Sequence, residues 1–207
     1  GLVSHRRLSN GDDKPYELNI SWWSAMEDSS RDAKRFQYER FILSQLLVMA
    51  LKGVPAFYLP ALLASENDIK SFSMTGQRRD LNREKFKSEN LSAVLNNPES
   101  NANKNLKYLR NAMDVRSELK QFHPCSQMKC LSKGRSDIVV IKRGKGPESV
   151  FAIHNMTENK INYQLNDNDL PKIIDNDFNT HDFLTSTKYN CKNISLDPFQ
   201  VIWLSAL

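Results

Sequence analysis

The run "VPAFYL", Val54–Leu59, is the most constraining feature of the 207-residue chain. It is short, continuously apolar and bounded by Gly53 and Pro60. A run of that kind suits a buried strand of a parallel sheet covered on both faces. On its N-terminal side, from about Ala33 to Leu51, Phe36, Phe41, Leu43, Leu47, Val48 and Leu51 recur at helical spacing. Gly53 stands where a left-handed C-cap would end that helix. On its C-terminal side a second helix is expected from about Asn103 to Phe122, carrying Leu106, Leu109, Met113, Val115 and Leu119. It should stop before Pro124, because a residue preceding proline resists helical dihedrals. One parallel strand between two helices has no sheet partner of its own. Its backbone donors and acceptors would then be buried unpaired. The segment is therefore expected to need neighbours, either the remainder of a larger domain or another copy of itself.

The texture changes after Cys125. "DIVVIKR", "SVFAIHN", "KINYQL" and "QVIWLSAL" are short, rich in β-branched and aromatic residues, and separated by Gly, Asn and Asp turns. The fold class expected is α/β plus all-β, with residues 1–124 forming the α/β part and residues 125–207 an antiparallel β-domain. The first 20 residues read as a loop, given Asn10-Gly11, Asp12-Asp13 and Pro15.

Composition narrows the functional classes. Apolar residues make up 40% and charged residues 26%, enough for a packed core, and the net charge is a modest +5. Basic residues cluster near 78–87 and 129–145 without interleaved stacking aromatics, so nucleic acid is not an expected partner. No apolar run reaches 18 residues, so neither a membrane span nor a membrane partner is expected. The N-terminus lacks the layout of a signal peptide and does not begin with Met, which fits a processed product or a piece of a longer chain. Cys125, Cys130 and Cys191 cannot all pair internally, and free thiols in a reducing cytoplasm are expected. Asn-x-Ser/Thr sequons at Asn19, Asn90, Asn155 and Asn193 carry little weight in so Asn-rich a chain.

Chemistry concentrates in "TGQRRDLNREKF", Thr75–Phe86, which sets three arginines, an aspartate and an asparagine within six residues. Together with "PYELNISWWSAM", "GVPAFYLPALLASENDI" and the final "DPFQVIWLSAL", it resembles the sucrose-phosphorylase-like branch of the α-amylase superfamily. The resemblance implies the C-terminal part of a (β/α)8 TIM barrel, its last helix–strand–helix, followed by a small antiparallel β-sandwich. Val54–Leu59 would be the eighth barrel strand. Loops after barrel strands form the active-site face. The resemblance implies Arg79 at the donor-glucose subsite, where a guanidinium offers fixed, permanently charged donors. Asp80, Asn82 and Arg83 would support that loop, and Asn67-Asp68 also matches a family loop. Tyr16 and Glu17 match an acceptor-loop pair that is Tyr-Gln in sucrose phosphorylases themselves. A glutamate there would accept hydrogen bonds from a small polyol and repel an anionic acceptor unless a cation offsets it. That shifts the expected substrate away from sucrose and towards glucosylglycerol or glucosylglycerate.

The implied reaction is glucosyl transfer from an α-glucoside with inorganic phosphate as co-substrate, without metal or organic cofactor. Such retaining chemistry uses a nucleophilic and an acid/base carboxylate about 5 Å apart. In the family these, and a His-Asp pair, precede the Tyr16–Glu17 segment, and no such motif occurs here. The 207 residues are expected to be inactive alone. The alternative is a non-catalytic carbohydrate-binding or interaction module. Thr180-His181-Asp182 imitates a family motif but follows the arginine turn and lies in the β-domain. His5, His123 and His154 are too scattered for a metal site, and neither a Gly-x-Ser-x-Gly elbow nor a phosphate loop is present.

Overall fold

A computed structural model describes residues 1–28, 32, 34–166 and 179–205. In chain order the elements are β1 (Leu2–Arg7), β2 (Asp13–Asn19), α1 (Trp22–Ala25), α2 (Gln37–Ala50), α3 (Leu59–Leu62) and α4 (Ile69–Thr75). A 3-10 turn follows at Arg78–Asn82, then α5 (Ser88–Asn96), α6 (Asn101–Glu118) and a 3-10 turn at Lys120–Phe122. The remaining strands are β3 (Met128–Cys130), β4 (Ile138–Arg143), β5 (Val150–Asn155), β6 (Ile161–Tyr163), β7 (Asn179–His181), β8 (Lys188–Asn190), β9 (Ile194–Leu196) and β10 (Val201–Ser205). The chain forms two compact units, Gly1–Gln37 with Phe57–Tyr108, and Tyr38–Ala56 with Leu109–Leu207.

In the first unit the N-terminal segment is a β-hairpin, not the expected loop. β1 and β2 pair antiparallel around Asn10-Gly11, with Gly11 at φ +90° supplying the turn. The sequence hid this because most hairpin side chains are exposed on both faces, so no apolar alternation marks the strands. Helix α3 begins at Leu59 behind Pro60, a favoured first-turn residue. It closes with Ser65 N–H on Pro60 O and Ala64 N–H on Ala61 O. That is a Schellman pattern, with Ala64 rather than glycine at φ +50°.

The expected buried strand Val54–Leu59 is not one. Residues 54–58 belong to no helix or strand, and Leu59 opens α3. Val54 is 79% exposed and Tyr58 55%. A strand exists only through its ladder, and no described strand supplies one here. Gly53 is also not the immediate C-cap of α2; it lies three residues beyond Ala50 at φ +116°. The helix itself starts at Gln37, after Phe36 at φ +56°, whereas its expected start at Ala33 lies outside the described residues.

The second unit is built on a four-stranded antiparallel sheet in the order β10-β5-β4-β3. The pairs β6-β9 and β7-β8 complete a set of small antiparallel sheets. One sheet face, with Ile138, Val140, Phe151, Ile153, Ile202 and Leu204, packs with Leu165, Cys191, Ile194 and Leu196. The opposite face includes Arg143, His154 and Trp203, all fully buried, and Trp203 lies 4.6 Å from Phe122 between ring centroids. Burial on both faces explains why "IVVIKR" and "VFAIHN" read as nearly continuous runs rather than alternating ones.

Arg143 fixes the end of α2 to this sheet. It donates to the carbonyls of Ala50 (3.0 Å) and Leu51 (2.6 Å), and to His123 O at 3.0 Å. Arg116 on α6 donates to Met49 O and Gly53 O, each at 2.9 Å. Both guanidinium groups also lie over the Phe122 ring. Helix C-terminal carbonyls lack intrahelical donors, and cations are favoured at that negative end. Burial lowers both arginine pKa values, yet a guanidinium remains charged. Arg143→Met keeps the bulk and removes the donors. It should lower unfolding free energy by about 3 kcal/mol, read from urea midpoints, because charge-assisted bonds to buried carbonyls are lost. An unchanged midpoint would remove Arg143 from this role.

His154 titrates against the fold. It is fully buried, with Nδ1 3.3 Å from Val139 O, and burial outweighs nearby carbonyls to lower its pKa from 6.5 to about 4. The unfolded chain therefore binds a proton that the folded chain refuses as pH drops below 6.5, and stability falls down to about pH 4. The loss approaches about 3 kcal/mol at 1.36 kcal/mol per pKa unit. In His154→Leu, unfolding free energies measured from pH 7 to 4 should show a correspondingly smaller decline; equal slopes would refute the assignment.

Candidate functional site

In the first unit the arginine-rich turn and the hairpin meet. Asp68 caps α4, accepting from Ser71 N at 2.9 Å and Ser71 Oγ at 2.5 Å, and these bonds lower its pKa. Gly76, at φ +67°, ends α4 by donating to Phe72 O at 2.8 Å. A residue with a Cβ is strained in that left-handed cap, which explains the glycine ahead of the arginines. The 3-10 turn follows at once. Asp80 accepts from Thr75 Oγ1 at 2.7 Å, buried Leu81 anchors the turn, and Asp68 N donates to Leu81 O at 2.7 Å.

This frame presents the arginines towards the hairpin. Arg78 donates to Val3 O, while Arg79 Nε lies 3.4 Å from both carboxylate oxygens of Glu17. Arg79 is exposed and Glu17 half-buried, so the pair contributes little stability, at most about 1 kcal/mol; it orients the guanidinium. Asn82 Oδ1 is buried without a hydrogen-bond partner among the described residues, and Arg83 is exposed.

Tyr16 owes its position to a β-bulge. Ser4 faces Glu17 and His5 faces Pro15, leaving Tyr16 as the extra residue. Bulges re-aim side chains and frequently border active sites. Tyr16 is 64% exposed and directly precedes Glu17 in the chain. Asn67 ties the site to the "SWW" segment: its Oδ1 accepts from Ser21 N at 2.8 Å, and its N–H donates to Ser24 Oγ at 3.1 Å. Thus the structure brings Glu17 and Arg79 together, sets Tyr16 next to Glu17, and links Asp80 to Thr75.

Reading the N-terminus as a loop missed a further group. Arg6, Arg7 and Lys14 join Tyr16 around a hollow of about 510 Å³. The signal was available as polar segments flanking Asn10-Gly11. A separate cleft of about 660 Å³ runs between the 63–70 segment and α5.

The Thr180-His181-Asp182 imitation has a structural job in the second unit. Thr180 Oγ1 donates to Ser205 O. Asp182 is buried and accepts from Trp203 N (2.7 Å), Leu184 N (3.2 Å) and Thr185 Oγ1 (2.6 Å). Burial raises its pKa, with those bonds opposing the rise. No group of three metal-ligating side chains occurs among the described residues, and none of the described helices is long and apolar enough to cross a membrane. Of the sequons, Asn19 and Asn155 are buried, and Asn155 donates to Asn159 O and Asp197 O.

No protein-family profile matches the chain. Curated relatives include a "Glucosylglycerate phosphorylase" of Allomeiothermus silvanus, 31% identical over 159 residues, covering 76% of this chain and 28% of that protein. Another of that name, from Escherichia coli, is 23% identical over 98% of this chain and 34% of its own length. A "Sucrose phosphorylase" of Streptococcus mutans is 23% identical over 74% of this chain and 29% of its own. The chain is related to the sucrose-phosphorylase-like branch of the α-amylase superfamily. It spans about a quarter to a third of the length of these curated relatives.

Solved structures agree at the level of fold. A trehalose-6-phosphate hydrolase of Bacillus licheniformis superposes with a TM-score of 0.58 at 16% identity, over 88% of this chain and 41% of that one. An Anoxybacillus pullulanase gives 0.63 at 10% identity, over 90% and 26%. At such identities the likeness concerns the fold alone.

Proposed function

We propose that these residues are the C-terminal part of a retaining glucosyl-transferring phosphorylase and contribute its sugar and acceptor contacts. On this reading the last barrel strand and its helices occupy residues 1–124, and a β-sandwich domain follows from residue 125. The observation that carries the proposal is the approach of Arg79 to Glu17, 62 residues apart in sequence and 3.4 Å apart in space. The family resemblance puts the first at the donor glucose and the second at the acceptor, and the geometry is consistent with two adjoining subsites. Arg79 would grip the glucosyl unit through fixed donors. Tyr16 and Glu17 would border the acceptor hydroxyl that takes the glucosyl group in turn. Asp80, Asn82 and Arg83 would hold the turn. The nucleophile and acid/base carboxylates would come from the preceding barrel strands, so these 207 residues alone would not form the covalent intermediate.

Val54–Leu59 supports the same reading. Its exposed apolar side chains and ladder-free backbone fit a stave whose neighbours belong to other barrel strands.

The test uses a polypeptide that carries the remaining barrel strands joined to these residues. Arg79→Ala should lower kcat/KM for an α-glucosyl donor by about a hundredfold or more while thermal unfolding is unchanged. Unchanged donor kinetics would take Arg79 out of the site. Glu17→Gln should alter the ratio of kcat/KM values between glycerol and glycerate as acceptors while donor hydrolysis is retained. Equal ratios before and after would end that assignment. Glucosyl transfer by the 207-residue chain alone would overturn the division of labour.

A further inference from the structure

Arg78 on Val3 O and Arg79 against Glu17 join the arginine turn to the hairpin, but both contacts are exposed and made by long side chains. Such contacts hold backbone segments weakly. Asn67 makes a firmer junction. Its Oδ1 accepts from Ser21 N at 2.8 Å and its N–H donates to Ser24 Oγ at 3.1 Å. Ser21 is buried and caps α1, its Oγ accepting from Ser24 N at 3.1 Å, so Asn67 closes a ring on the segment that leaves β2. Two residues before Ser21, Asn19 ends β2; it is fully buried and donates to Ser4 Oγ of β1 at 2.9 Å. Glu17 lies two residues further back on the same strand. The residue after Asn67 belongs to the frame of the arginine turn. Asp68 N donates to Leu81 O at 2.7 Å, and the Asp68 carboxylate caps α4 through Ser71. Successive residues 67 and 68 thus hold the exit of the strand that carries Glu17 and the turn that carries Arg79.

We propose that Asn67 is a positioning residue: by tying residues 21–24 to the α4 frame it sets the separation of Arg79 and Glu17. It rests on the proposed function only in taking those two side chains as ligand contacts. The physical reason is stiffness. Bonds between backbone N–H groups and short side chains leave few torsions free, whereas an exposed arginine samples many. Asparagine supplies both an acceptor and its own backbone N–H at one point of the chain. Alanine would keep the N–H and lose the acceptor, leaving the Ser21 N–H without that partner. A displacement of about 1 Å at a distance from the chemistry can cost up to about a hundredfold in rate.

The experiment has two arms. In the first, the 207-residue chain carries nitrogen-15 at arginine Nε and is followed by NMR. The Arg79 signal is assigned by its loss in Arg79→Ala, and Glu17→Gln gives the position it takes without its carboxylate. Asn67→Ala should move the signal at least half-way to that position. Ser24→Ala, which leaves Asn67 in place, should move it in the same direction, and Asn67→Asp, which keeps the acceptor, should leave it close to the parent position. Should Asn67→Ala fail to fold by circular dichroism, Ser24→Ala decides this arm. The second arm uses the longer polypeptide with the remaining barrel strands. There Asn67→Ala should lower kcat/KM for an α-glucosyl donor by about tenfold, and Asn67→Asp should restore it to within about threefold. In an Arg79→Ala background, Asn67→Ala should change it by less than about twofold, because a residue that acts through Arg79 has nothing left to place. An unmoved Arg79 signal, or an equal kinetic loss in both backgrounds, would overturn the proposal. Unchanged donor kinetics in Arg79→Ala alone would remove the ligand role of Arg79 and leave its placement by Asn67 to be decided by the NMR arm.

Discussion

The fully buried guanidinium of Arg143 organises the second unit. It projects from the end of β4, and its donors go to carbonyls at the C-terminus of α2 and at His123, not to a carboxylate. A buried ion pair would need desolvation of two charges; a cation on the negative end of a helix needs only one, and five carbonyls are satisfied when Arg116 joins it. The consequence reaches outward along the chain. Because Met49, Ala50, Leu51 and Gly53 are held, the direction in which residues 54–56 leave the helix is fixed by the β-domain.

That relation gives meaning to the exposed run. "VPAFYL" reads as a strand by composition, and in the structure it forms none. Composition reports what a segment could bury. Whether it forms a ladder depends on neighbours, and none of the described strands pairs with it. The same logic separates the other outcomes. β4, β5 and β10 were visible because both faces are buried and their apolar runs are unbroken. β1 and β2 were not, because an exposed two-stranded hairpin obeys turn chemistry more than hydrophobic pattern. β3, β7, β8 and β9 are three-residue strands, too short for a periodicity to register.

The site divides along similar lines. The arginine turn announced itself through composition alone, and Gly76 marked where the preceding helix had to stop. The meeting of Arg79 with Glu17 could not be read from sequence, since it depends on a hairpin register that a bulge shifts by one residue at Tyr16. Arg143 and Arg116 were invisible for the opposite reason. Each is one basic residue in a chain with 29, and only burial, full for Arg143 and partial for Arg116, distinguishes them from solvated neighbours.

Charge placement in the first unit then follows a single rule. A glutamate at position 17 would be a poor companion for an anionic ligand if it stood alone. Here one guanidinium reaches it from the turn, and three further cations stand on the hairpin without carboxylates in contact. A change of Glu17 to a neutral amide would release Arg79 and strengthen the positive field, whereas a change at Lys14 would weaken that field without touching Arg79. Glu17 orients Arg79, whereas Arg6 and Lys14 add positive charge to the hairpin. The approach of Arg79 to Glu17 rests on the hairpin's register, because a slip of one residue would carry Glu17 to the opposite face.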